Sequence, residues 1–91
     1  MPTVTTLQMR QLGLAYARRL APVVRDQASS QGVRLPVPHT ELFDALRSVY
    51  DLVEREHRLP FDHLTARLQD AFLHSFWSYL VNERIAAPVP G

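Results

Sequence analysis

Apolar residues recur at three- and four-residue spacing through the first third of the chain, which is the pattern of one buried helical stripe. The helix it predicts spans about residues 6–31, with Thr5 or Thr6 as its N-cap and Gly32 ending it. Pro22 lacks a backbone donor and collides with the preceding turn, so we expect a kink there or two shorter helices. The stripe consists of Met9, Leu12, Tyr16, Leu20 and Val23 or Val24.

Two further helices are predicted, over about residues 40–58 and 60–86. The first of them is strongly amphipathic, with Phe43 among its inward residues and its charges outward. The other opens at Pro60, a residue suited to the first turn of a helix. We expect residues 87–91 to form a short flexible tail, and no alternating strand pattern persists along the chain. The pattern therefore predicts one all-α domain over residues 1–91, a small three-helix bundle with a kinked first helix.

The third predicted helix is apolar over more of its circumference than one small subunit readily covers. One row continues the buried stripe, and a second row lies beside it. Tryptophan and tyrosine are frequent interface anchors, so we expect this helix to dimerise or to bind a helix of a partner protein. The predicted interface consists of Phe72, Leu73, Phe76, Trp77, Leu80 and Val81.

Length and composition fit one small soluble domain: 91 residues, 46% hydrophobic and 21% charged. The absence of cysteine excludes disulfide scaffolds, thiolate zinc sites and cysteine nucleophiles. No apolar run approaches the roughly 20 residues that cross a bilayer, and the N-terminus lacks the basic and apolar regions of a secretory signal. We therefore expect a cytoplasmic protein with no membrane partner.

The net charge of +1 conceals an uneven distribution. Residues 1–35 carry five arginines and one aspartate, a net +4, and residues 36–91 carry five arginines and eight carboxylates, a net −3. One interpretation places the basic segment beside the acidic one, within the fold or across an oligomer. The other is a DNA-binding regulator whose first helix contacts phosphates. Its candidate contacts are Arg10, Arg18, Arg19 and Arg25.

No constellation of residues predicts catalysis or a metal site. Glu54 and His57 have the spacing used in di-iron bundles, but the chain offers one such pair and no glutamate on the first helix. Ser75 and Ser78 lie within a helix, with no strained turn to present a nucleophile. Three glycines are too few and too dispersed for a phosphate loop. We expect a non-enzymatic protein-interaction module, an adaptor, regulator or assembly subunit, without cofactor or metal.

Overall fold

The computed structural model describes residues 4–88 and is all-helical. Helix α1 spans Thr6–Gln31, α2 spans Phe43–His57 and α3 spans Ala66–Asn82, with short 3-10 helices at His39–Leu42 and Phe61–His63. Helix packs against helix, and the described residues form no strand. The prediction of a small all-α bundle with three principal helices is confirmed.

Both ends of α1 are fixed by local signals. The Thr5 hydroxyl accepts the Gln8 backbone N–H at 3.1 Å, and the Gln8 side chain accepts the Thr5 N–H at 2.9 Å. Gly32 ends the helix at a left-handed φ of 67°. The helix is continuous through Pro22, so the alternative of two shorter helices is wrong. Pro22 removes the helical hydrogen bond to the Arg18 carbonyl, and both residues lie on an exposed part of α1.

Helix α3 is shorter than predicted. It begins at Ala66 rather than near Pro60, because Thr65 is extended and its hydroxyl caps the Leu68 N–H at 3.4 Å. The side-chain amide of Gln69 donates to the carbonyls of the preceding turn, at 3.0 Å each. The helix ends at Asn82 rather than Ala86. The predicted second helix is likewise divided, with 3-10 geometry before Phe43.

The segment after α3 folds back against the loop between α1 and α2. The Val37 N–H donates to the Ile85 carbonyl at 3.0 Å, and the Ala87 N–H donates to the Val37 carbonyl at 2.8 Å. Ile85 is fully buried. Part of the predicted tail is therefore hydrogen-bonded, and its residues 89–91 lie outside the described residues.

Helices α1 and α3 pack side by side and run in the same direction. Gly13 in the first half of α1 lies against Phe72 in the first half of α3, and Arg25 near the end of α1 pairs with Glu83 just after the end of α3. Helix α2 runs the opposite way, with Glu56 near its end beside Arg19. Large apolar side chains from all three helices fill the space between them. The side chains exposed by less than 2% include Met9, Val53, Phe72, Phe76, Leu80 and Ile85.

Candidate functional site

Three of the six predicted interface residues belong to the core of the chain itself. Phe72, Phe76 and Leu80 are each 0% exposed. The Phe72 ring packs edge-on against Phe61 at 5.2 Å between centroids, and it lies parallel to Phe76 at 6.0 Å. These side chains have no surface to offer a partner. The first apolar row of α3 is thus covered by the chain itself.

The second row keeps part of its surface. Leu73, Trp77 and Val81 are half-buried and follow one side of α3. The Trp77 indole packs edge-to-face on Phe76 at 5.3 Å and on His39 at 6.3 Å between ring centroids. Contacts from two sides hold the indole in one orientation while leaving another side open.

Phe43 extends this surface and corrects a prediction. We expected its side chain to point inward, but it is 49% exposed and packs edge-to-face on His39 at 5.6 Å. The buried stripe of α2 consists of Leu46, Val49 and Val53, and Leu42, 5% exposed, continues it towards the start of the helix in place of Phe43. Its proximity to Trp77 through His39 could not be found from sequence. We call Phe43, Leu73, Trp77 and Val81 the α3 outer face.

Two of the four predicted polyanion contacts are ion-paired within the chain. Arg19 Nη1 lies 2.7 Å from Glu56 Oε1, and Arg25 Nη2 lies 3.2 Å from Glu83 Oε2. Arg18 stands over the Tyr79 ring, 6.0 Å from its centroid. The interpretation that the basic segment lies beside acidic residues within the fold is confirmed for these pairs. Both pairs are partly exposed, so each contributes little to stability.

Tyr16 joins the first of these ion pairs by donating its hydroxyl to Glu56 Oε1. Hydrogen bonds from Arg19 and then Tyr16 lower the pKa of Glu56 to about 2. Burial of the phenol, followed by its bond to Glu56, raises the pKa of Tyr16 to about 12. At neutral pH the carboxylate is therefore charged and the phenol protonated. The cluster links α1 to α2, and neither group changes its charge near neutral pH.

A second exposed surface lies between α1 and α2. Two open grooves follow this junction, with volumes of about 510 and 440 Å³, and the Arg19–Glu56 pair separates them along the helices. Val23 is 49% exposed in the second groove. We call this surface the α1–α2 face. Its apolar residues that are not fully buried are Val4, Leu12, Ala15, Leu20, Val23, Ala45, Leu52 and Leu59.

Residues 4–88 contain no group of three or more histidine or carboxylate side chains placed to hold a metal ion. Among the helices of the same residues, none has both the length and the apolar content that a bilayer span requires.

Scans of protein-family models and searches of curated proteins and solved structures gave no match to this chain.

Proposed function

We propose that this chain is a non-enzymatic protein-interaction module whose α3 outer face binds an amphipathic helix of a partner protein. In this proposal it acts as a small adaptor, regulator or subunit of a cytoplasmic assembly. The observation that carries the proposal is the half-buried Trp77, oriented by Phe76 and His39 beside the exposed Phe43. Aromatic side chains fixed in this way lose little entropy on binding and often anchor interfaces.

The shape of the α3 outer face favours a helix as its occupant. Leu73, Trp77 and Val81 succeed one another at four-residue intervals and form one stripe about 12 Å long. An amphipathic helix presents its own apolar residues at matching intervals, so the two stripes can pack along each other. Complete burial of a large apolar side chain contributes a favourable free energy of roughly 1.5–3 kcal/mol. The side chains of this stripe are only partly buried in the chain alone, so part of that free energy remains to be gained when a partner binds.

Affinity capture from the native host tests the proposal when two matched variants accompany the wild type. Trp77→Glu combined with Val81→Glu introduces charge into the α3 outer face. Leu7→Glu introduces charge at a residue of α1 that is 61% exposed. We expect proteins that the wild type and Leu7→Glu retain and the double variant loses. The same proteins captured by all three chains would contradict the proposal.

The alternative, a DNA-binding regulator that contacts phosphates through α1, has weaker support because Arg19 and Arg25 are engaged with carboxylates. It predicts duplex binding that weakens steeply with salt and is lost on Arg18→Glu with Arg19→Glu. Absence of binding to mixed-sequence duplexes at low ionic strength would exclude it.

A further inference from the structure

A groove between the first halves of α1 and α3 is lined by basic side chains from both helices. Its volume is about 360 Å³. Arg10 and Arg67 are far apart in the chain, and the packing of α1 on α3 brings both side chains to this groove. We call it the α1–α3 groove, and its lining residues are Thr6, Arg10, Arg67, Asp70, Ala71 and His74.

The α1–α3 groove carries more positive than negative charge. Arg10 has no carboxylate on its own helix before Asp26, which follows about 24 Å further along α1. Asp70 is the one carboxylate among the described residues that line the groove, against two guanidinium groups. Asp62, which precedes α3, lies in a different groove beside Arg47. The described lining residues therefore leave a net positive charge.

The two arginines of the α1–α3 groove are available to another molecule. Both side chains are exposed. Within residues 4–88 neither Arg10 nor Arg67 forms an ion pair, and the arginines that do are Arg19 and Arg25. Asp70 lines the same groove, but its carboxylate is not within ion-pair distance of either guanidinium group.

We propose that the α1–α3 groove binds a phosphate group between Arg10 and Arg67. A planar guanidinium presents paired N–H donors that match two phosphate oxygens, and these hydrogen bonds are strengthened by the charges on both partners. The Thr6 hydroxyl and an imidazole N–H of His74 are further donors among the lining residues.

The arrangement favours a terminal phosphate over the backbone of a nucleic acid. A phosphate monoester carries roughly 1.5–2 negative charges near neutral pH, whereas each backbone phosphate of a duplex carries one. The α1–α3 groove gathers two arginines at one place, which suits a single concentrated charge. It shares no residue with the α3 outer face, so this site is independent of the function proposed above.

Nuclear magnetic resonance titrations test the site, with sodium chloride holding the ionic strength constant. The probes are inorganic phosphate and glycerol 3-phosphate. We expect each to shift the backbone amide signals of Arg10 and Ala71 until the groove is saturated. Tighter binding of inorganic phosphate would identify the free ion as the ligand, and tighter binding of glycerol 3-phosphate would identify a phosphate monoester.

Matched charge variants locate the binding. Arg10→Gln or Arg67→Gln should raise the dissociation constant about tenfold, because each removes hydrogen bonds between charged groups. Asp70→Asn should lower it roughly threefold, since an exposed like charge no longer opposes the anion. Arg47→Gln removes the same charge from α2 and should leave the dissociation constant unchanged. All four residues are exposed, so we expect each variant to retain the fold and its circular dichroism spectrum.

Three results would overturn the proposal. The first is a shift that does not saturate and that sodium chloride alone reproduces. The second is an equal loss of affinity in Arg47→Gln and Arg10→Gln, since the interaction would then be general attraction to positive charge. The third is a DNA duplex that shifts the signals of Arg10 and Ala71 when neither phosphate probe does.

Discussion

Gly13 in α1 stands directly against the main-chain carbonyl of Phe72 in α3. A Cβ at this position would lie 3.1 Å from the carbonyl carbon and closer still to the oxygen. Buried Ala17 and Ala21 follow Gly13 along α1 at four-residue intervals. The small side chains at these three positions let α1 and α3 approach closely. This close approach also sets where the second apolar row of α3 lies relative to the rest of the chain.

Replacing Gly13 by alanine therefore destabilises the protein, although inside a helix alanine is more favourable than glycine by up to about 1 kcal/mol. The collision is with backbone, which cannot rotate away, so we expect a net loss of roughly 1–3 kcal/mol. Urea denaturation measures the change. Gly32→Ala is the comparison: it meets no neighbouring atom within 4 Å and bears only the strain of a φ of 67°, about 1 kcal/mol. A Gly13→Ala protein as stable as the wild type would refute the close approach.

Arg58→Gly is expected to stabilise the protein. Arg58 ends α2 at a left-handed φ of 54°, a conformation that costs a side-chain-bearing residue about 1 kcal/mol and glycine much less. Allowing for glycine's greater freedom in the unfolded chain, we expect a gain of roughly 0.5 kcal/mol and a rise in thermal midpoint of a few degrees. Arg55→Gly, inside the same helix, should lower the midpoint instead.

Phe76→Ala and Trp77→Ala distinguish the two rows of α3. Phe76 is 0% exposed, and its truncation leaves a cavity that costs about 3–5 kcal/mol. Trp77 keeps part of its surface exposed, so its truncation costs less than that of Phe76 and leaves a folded protein. Thermal unfolding followed by circular dichroism compares them. Equal losses of stability in the two variants would mean that both side chains belong to one core.

The Tyr16–Glu56–Arg19 cluster makes stability depend on pH at the acidic extreme. The folded-state pKa of Glu56, about 2, lies below the ordinary value of 4.5. The charged carboxylate therefore contributes its full stabilisation above pH 4.5, and this stabilisation is lost as the pH falls from 4.5 towards 2. Glu56→Gln should therefore be less stable than the wild type at neutral pH, by an amount that shrinks on acidification. A difference in stability between the two proteins that stays constant down to about pH 2 would contradict the lowered pKa of Glu56.

Tyr16 gives the opposite dependence at alkaline pH. Its folded-state pKa, about 12, lies above the ordinary value of 10, so the stability linked to it is present below pH 10 and is lost as pH rises through 12. Tyr16→Phe removes this dependence. Denaturation curves that fall equally for both proteins above pH 10 would show that another group is responsible.

The sequence predicted α1 closely because local signals mark both of its ends, Thr5 and Gly32. It misplaced the start of α3 because Pro60 and Thr65 are both residues that begin helices, and only the packed structure chooses between them. The two apolar rows of α3 follow from helical periodicity. So does the row that continues the buried stripe. That α1 and α2 cover this row completely, and leave none of it for the predicted interface, does not follow from the sequence, because it depends on where those helices lie.

The same reasoning explains what sequence missed in the candidate surfaces. The position of His39 against Trp77 joins residues 38 apart, and no local pattern encodes that contact. The α1–α2 face exists because two antiparallel helices place Val23 and Leu52 beside one groove. Charge asymmetry between the halves of the chain was visible beforehand, but the particular pair Arg19–Glu56 was not.

The intrinsic fluorescence of Trp77 tests the central claim most directly, since it is the single tryptophan of the chain and lies in the α3 outer face. Titration of the purified captured partner into the wild type should shift the indole emission to shorter wavelength as its open side loses water. Val81→Glu should weaken the titration. Binding of the partner without any change in Trp77 emission, and with undiminished affinity in Val81→Glu, would contradict the account.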